Sequence, residues 1–324
     1  IQLGTDPILV GATDEQKEKW LGAIAVGPKT KCQYYYDGFS GFINGTDYYF
    51  ITIKSEWVNR TWRKAICHAF NYTYLTDEIM EDTVSKAHSL VPPGFPAYNS
   101  SVLGGRYDIP YARQLMQKMG YGYTGSVPWD IGSQIGDRFF PGTDEALWTA
   151  AEFIPDVGNF TNNDWRFYHK QGSHFSELLI QRFMDDMDLI GIKVEPVVWT
   201  WDEFIPLDEW LMALRTCPFL WASYTPNYID TFNQIYYMVN PGLLLYVHEI
   251  YDAEIDNLLK TTVEEVDSSQ RNENYKKLQY LIHDKNYYHM PLFYRKVFSV
   301  HRDFLEGFPY NCMEYLYWYP TYRE

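Results

Sequence analysis

The chain has 324 residues, more than one hydrophobic core usually serves, and 46% of them are hydrophobic, which excludes a disordered chain and favours one large domain or about two smaller ones. Its net charge of −15, with no Lys/Arg cluster to offset it, repels phosphate backbones and sets nucleic acid aside as a partner. Aromatic residues reach 18%, with 29 tyrosines, a composition suited to surfaces that need a large rigid contact area with a polar tip.

In chain order, DPILVGA (6–12) reads as a short buried strand and TDEQKEKWLGAI (13–24) as a helix with a capping threonine and an acidic first turn. Residues 32–57 carry alternating aromatics, notably DYYFITIKSEW (47–57), and read as two or more strands broken by turn residues in DGFSGFINGT. From Thr61 a helical stripe of Ala65, Ile66, Ala69 and Phe70 takes over, with a second helix expected through Ile79. LVPPGFPAYNSS (90–101) is a loop by composition. YDIPYARQLMQKMG (107–120) predicts a helix with Asp108 at its N-cap, Pro110 in its first turn, an apolar face of Ala112, Leu115, Met116 and Met119, and Gly120 as its stop.

Residues 121–165 read as irregular connection. The segment 173–199 then predicts a helix with Phe175, Leu178, Leu179, Phe183 and Met187 on its apolar face, a left-handed cap at Gly191, and the strand IKVEPVVW. DEFIPLDEWLMAL (202–214) predicts another helix, and FLWASYTPNYID (219–230) falls where the next strand ends and its loop begins. Helix, glycine, strand, helix is the grammar of an α/β sheet, and strand ends of such sheets are where ligands tend to sit. Two further helices flank VDSSQ (266–270), and 289–308 reads as a strand pair around a charged turn.

Motifs for chemistry are weak. GYGYTG (120–125) satisfies G-x-G-x-x-G, but a helix precedes it and a proline-containing loop follows, so it reads as a helix stop. The histidines form no HExxH, and His283 and His289, six apart, do not present two ligands on one helical face; they read as structural, with no metal and no cofactor expected. Adjacent carboxylates such as Asp185–Asp186 and Asp202–Glu203 point apart and read as solvated, and no G-x-S-x-G elbow occurs. Nothing in the sequence demands catalysis. Cys32, Cys67, Cys217 and Cys312 form no CxxC pair; they read as buried thiols, with one disulfide left open. Five N-x-S/T sequons, at Asn44, Asn59, Asn71, Asn99 and Asn159, lean towards an exported glycoprotein. No run of about 18 apolar residues occurs and the start has no signal-like pattern, so the chain as given reads as a soluble segment.

Trp199, Trp201, Trp221, Tyr224 and Tyr228 flank the proposed strand ends, where both ligand contact and helix–sheet packing use aromatic residues; on the residues alone, packing leads. Four segments then resemble, in the right order, the extracellular solute-binding proteins of family 5, the oligopeptide- and dipeptide-binding components of ABC transporters. They are TWRKAICHAFNYTYLTDEI (61–79), YDIPYARQLMQKMGY (107–121), LLIQRFMDDMDLIGIKVEPVVWTWDEF (178–204), and 254–296 from EIDNLLKT to MPLFYRK.

The resemblance implies an α/β fold of the type II periplasmic-binding-protein kind, a mixed sheet with flanking helices, in which two lobes close on a ligand without performing chemistry on it. It places residues 1–288 in the second, ligand-binding lobe and 289–324 in a C-terminal return into the first lobe, most of which the chain lacks; a fragment or a naturally short relative would fit. By the family's cleft segment, Trp221, Tyr224 and Asn227 line the site, with Trp199 nearby. Tyr224 stands where relatives carry an aspartate that holds a peptide's α-ammonium, so a neutral solute such as an oligosaccharide stays open beside a peptide. A monomer that delivers its solute to a membrane permease, at the cell surface or in the periplasm, is the expectation. The alternatives are a secreted carbohydrate-active enzyme and an adhesive surface domain with no small ligand.

Overall fold

The computed structural model describes residues 38–39, 43–54, 58, 60–118, 165–170, 173–192, 194–199, 218–240, 250, 252–297, 300–301, 305–306 and 322–323. The strand at 6–12, the helices at 13–24 and 202–214, the connection before Trp165, Trp201 and the GYGYTG string lie outside them. Contacts divide the chain into two units, Ile1–Gly45 with Lys296–Glu324, and Thr46–Arg295.

The larger unit is built on a six-stranded mixed sheet. Its strands are β2 (Ile43–Ile53), β3 (Val84–Lys86), β4 (Arg166–Lys170), β5 (Glu195–Trp199), β6 (Phe219–Tyr224) and β7 (His289–Val297), in the order β3-β7-β2-β6-β4-β5. β2 runs antiparallel to β6 with Ile51 opposite Trp221, whereas β4 runs parallel to both β5 and β6. In the smaller unit, β1 (Gly38–Phe39) pairs with β8 (Val300–His301), and β9 (Leu305–Glu306) with β10 (Tyr322–Arg323), both antiparallel.

Alternation along β2 makes two cores. Ile51 and Ile53 face one buried cluster, and Tyr48 and Phe50 face the other, because successive side chains of a strand point to opposite faces. The first cluster is covered by α1 (Arg60–Ala69), α2 (Ile109–Lys118) and α3 (His174–Asp188). Its helical stripe is the expected one: Ala65, Ile66, Ala69 and Phe70 are all fully buried. The second cluster is covered by α4 (Thr231–Val239), α5 (Ala253–Glu264) and α6 (Ser268–Tyr280). Each fully buried Ile, Leu or Phe contributes about 1.5–3 kcal/mol of apolar transfer free energy, so the two layers hold the sheet from both sides.

Local signals set several boundaries. The Asp108 carboxylate accepts the Tyr111 N–H at 3.0 Å, which caps α2 as its sequence predicts. Gly191 ends the turn after α3 at φ 80°, the left-handed conformation glycine adopts without a Cβ penalty. Asp252 and Asp267 cap α5 and α6 by accepting the N–H groups of Glu254 and Gln270.

Other expectations are corrected. The second helix expected through Ile79 is present, and what differs is its type: Tyr74–Ile79 is π-helical. Leu178 is 39% exposed, because the buried stripe of α3 is centred on Leu179, Ile180, Phe183 and Met187 and leaves Leu178 turned off it. Asp186, read as solvated, is fully buried: its carboxylate pairs with Arg182 and accepts the Asn71 N–H at 2.8 Å. The strand pair expected over 289–308 is not formed among the described strands: β7 enters the large sheet between β3 and β2, β8 pairs with β1, and β9 with β10.

Candidate ligand-binding site

Three parallel strands end at one edge of the sheet. Lys170, Trp199 and Tyr224 are the last residues of β4, β5 and β6, and the carboxyl ends of parallel strands are where open α/β sheets hold ligands. β2, antiparallel to β6, brings its first half to that edge, with Tyr48 opposite Tyr224 and Tyr49 opposite Ser223.

The four candidate residues fall into different settings along this edge. Trp199 pairs with Lys170 through its backbone; its side chain lies outside the described residues. Trp221 and Tyr224, three apart on one strand, face opposite sides of the sheet. Trp221 packs with the first core, its ring 6.1 Å from Tyr49 and 5.6 Å from Phe175. Tyr49 in turn stacks on Phe293 at 4.6 Å. The indole N–H of Trp221 is turned inward and finds no partner among the described residues, so the part of this half-buried residue that meets solvent is apolar.

Tyr224 and Asn227 are brought together on the other side by a residue that no local pattern singles out. Asn233, fully buried on α4, accepts the Tyr224 hydroxyl at its carbonyl oxygen, 3.0 Å away, and the Asn227 N–H at Oδ1, 2.9 Å away. Asp230 caps α4 by accepting the Phe232 N–H at 2.7 Å, which fixes where Asn233 stands. Burial, and then the neighbouring Tyr237 and Tyr228, push the Tyr224 hydroxyl up to about 12, so it is neutral at physiological pH. Tyr228 and Tyr237 themselves are exposed.

Asp47 is the other residue that sequence reasoning missed. It lies one position before Tyr48 on β2, and its side chain is 14% exposed. Burial raises its carboxyl above the usual carboxylate range, while a hydrogen bond from Thr225 and the charge of Arg295, 3.8 Å away, pull it back. The signal available was the polar start of an alternating strand, DYYFITI; what it faces depends on a register with residues more than 170 positions away. Among the described residues, no three His, Cys, Asp or Glu side chains come together to hold a metal ion, and no helix is long and apolar enough to cross a membrane. His283 and His289 are both buried in the second layer, with ring centroids 5.9 Å apart.

A mixed sheet covered by helices on both faces, with aromatic and polar side chains gathered where its parallel strands end, defines a binding fold of the type II periplasmic kind. Residues 28–242 match the family model described as bacterial extracellular solute-binding proteins, family 5, middle region, and the chain belongs to that family. It is similar in fold to the periplasmic binding protein DppA from Helicobacter pylori in complex with the peptide STSA, at 16% identity and a TM-score of 0.63, over 89% of this chain and 49% of that one. The oligopeptide-binding protein AppA from Bacillus subtilis, in complex with a nonapeptide, aligns at 15% identity and a TM-score of 0.63, over 89% and 52% of the two chains. NikA from Brucella suis, in complex with Fe(III)-EDTA, aligns at 14% identity and a TM-score of 0.69, over 95% and 55%. The chain thus spans about half the length of these solved relatives. No curated protein matches it.

Proposed function

We propose that this chain is part of a solute-binding protein that captures a peptide outside the cytoplasm and delivers it to an ABC permease, without chemical turnover. In this reading residues 1–288 belong to the ligand-binding lobe and 289–324 return towards the other lobe, and the protein works as a monomer whose lobes close on the solute by hinge motion. Trp221, Tyr224, Asn227 and Trp199 line the site. The observation that carries the proposal is the family match over residues 28–242, which takes in the strand ends of β4, β5 and β6; the peptides bound to two of the similar structures favour a peptide as solute.

An oligosaccharide is the second reading, favoured by one observation. Tyr224 is a neutral hydroxyl already engaged by Asn233, and exposed Tyr228 and Tyr237 offer further aromatic surface of the kind that stacks on sugar rings.

Thermal denaturation in the presence of a peptide library and of an oligosaccharide panel tests both, since a ligand that binds only the folded form raises apparent stability. A rise of several degrees with peptides is expected. A rise with oligosaccharides alone would replace the solute, and hydrolysis of a glycan by the purified protein would overturn the proposal itself.

A further inference from the structure

The helix α4 serves the candidate site at one end and a separate pocket at the other. Asn233, near its start, ties Tyr224 and Asn227. Asn240, its C-cap, lies roughly 10 Å further along at about 1.5 Å per residue. There Tyr236 and Asn240 form one wall of a pocket of about 250 Å³, and the other wall is a single face of α5. That face begins at Asp256 and continues through Leu259, Lys260, Val263 and Glu264, a helical spacing that keeps all five on one side. Its volume lies just below the range of about 300–1,000 Å³ that drug-sized ligands fill, so an occupant is small.

The charge of the lining is unbalanced. Asp256 and Glu264 set two carboxylates against the one ammonium of Lys260, and α4 adds the negative end of its dipole. Asp256 is the least compensated of these groups. Its Oδ1 is enclosed and finds no partner among the described residues. Burial raises its carboxyl above the usual carboxylate range, Lys260 pulls it back, and Asp252 raises it again. Asp252 itself is engaged in capping α5 and in holding Asn286 and Tyr288.

Between the charges the wall is apolar: Leu259 is buried, and Val263 is exposed. A bare metal ion gains nothing from such a wall, whereas an ammonium group on a short carbon chain uses both the charge and the apolar surface. Lys260 is exposed, and its long stem lets the head move into solvent while the pocket is filled.

We propose that the pocket between α4 and α5 is a second binding site, separate from the sheet edge, for a short aliphatic amine whose ammonium group pairs with Asp256 while its carbon chain lies on Leu259 and Val263. The site stands whichever solute the sheet edge takes.

Chemical-shift titration of the whole chain with n-butylamine, charged at neutral pH, and with n-butanol, its uncharged counterpart, tests it. The amine is expected to shift resonances of α5 and of the end of α4 saturably, and the alcohol to bind at least about tenfold more weakly, the range of one charge-assisted hydrogen bond. Asp256→Asn keeps the shape and removes the charge, and is expected to abolish that preference. Lys260→Met keeps the stem and removes the competing cation, and is expected to tighten amine binding several-fold. Equal affinity for amine and alcohol, no saturable shift with the amine, or a preference that survives in a folded Asp256→Asn protein would each overturn the proposal. Displacement of the amine by a peptide that raises the melting temperature would overturn it too, since the amine would then sit at the sheet edge. Amine binding here without any peptide binding would remove the peptide reading and leave this site standing. The comparison of amine with alcohol on the wild-type protein decides the matter even if a variant fails to fold.

Discussion

The Tyr224 hydroxyl lies 3.0 Å from the backbone carbonyl oxygen of Asn233, nine residues further along the chain, and donates to it. Because the Asn233 side chain also accepts the Asn227 N–H, one buried amide fixes both the end of β6 and the loop that follows. Tyr224→Phe removes a single net hydrogen bond and is expected to cost about 0.5–1.5 kcal/mol. Asn233→Ala keeps the backbone acceptor of the Tyr224 hydroxyl but removes the Oδ1 that accepts the Asn227 N–H and empties a fully buried site, so it is expected to cost more and to weaken solute binding through the loop. Urea unfolding of both variants, with the affinity for the best peptide measured in parallel, checks this order.

Asp186, fully buried, pairs with the partly exposed Arg182 one helical turn away on α3, and it also holds the Asn71 N–H that leads into the π-helical turn. Removing Arg182 strands the buried Asp186 charge, so Arg182→Met is expected to destabilise by about 3–5 kcal/mol, whereas Arg182→Met with Asp186→Leu in one chain costs much less. Chemical denaturation of the single and double variants measures the difference.

The pH dependence follows from two buried histidines. Burial lowers His68 to about 4 and His283 to about 3, and the His283 Nε2 accepts the Leu90 N–H at 2.8 Å, a bond that requires that nitrogen to be unprotonated. In the unfolded chain both titrate near about 6.5. The stability they confer is therefore complete above that value, and it falls as pH drops from there towards 4, where the unfolded chain binds the additional protons. The urea midpoint of the wild-type protein is expected to decrease between pH 7 and pH 5, and the decrease to be shallower in His283→Gln, which keeps an acceptor and cannot charge. Equal slopes in the two proteins would contradict this assignment.

Gly105 packs so closely under Tyr72 and the Cys67 carbonyl that a Cβ there would overlap both, and Tyr72 is itself tied to that carbonyl by a 2.9 Å hydrogen bond. Gly105→Ala is expected to destabilise by about 1–3 kcal/mol through overpacking, despite the lower chain entropy of alanine in the unfolded state. A melting-temperature comparison with Gly94→Ala separates the two effects, since open space surrounds Gly94 and its cost comes from its φ of 95° alone.

What the sequence made legible was whatever local chemistry decides. The Asp108 cap, the Gly191 turn, the stripe of α1 and the end of β6 near Tyr224 all depend on neighbours within a few residues, and all stand as read. What stayed hidden depends on pairing at a distance. That Asp186 is buried follows from Arg182 and from Asn71, 115 positions away, and that Asp47 meets Thr225 follows from the β2–β6 register. Trp221 and Tyr224 look like neighbours in FLWASY, yet the pleat sends them to opposite faces, so they line the edge from two sides.

The middle of the sheet joins β2, at 43–53, to β7, at 289–297. A ribosome making this chain produces one of these strands roughly 240 residues before the other, and at about 5–20 residues per second the first waits tens of seconds for its neighbour. Until then Tyr48, Phe50 and Ile51 have no complete layer to pack against. Consolidation of the larger unit is thus a late event in biogenesis. A truncation just short of His289 would take away an interior strand and leave β2 as a raw, aggregation-prone border.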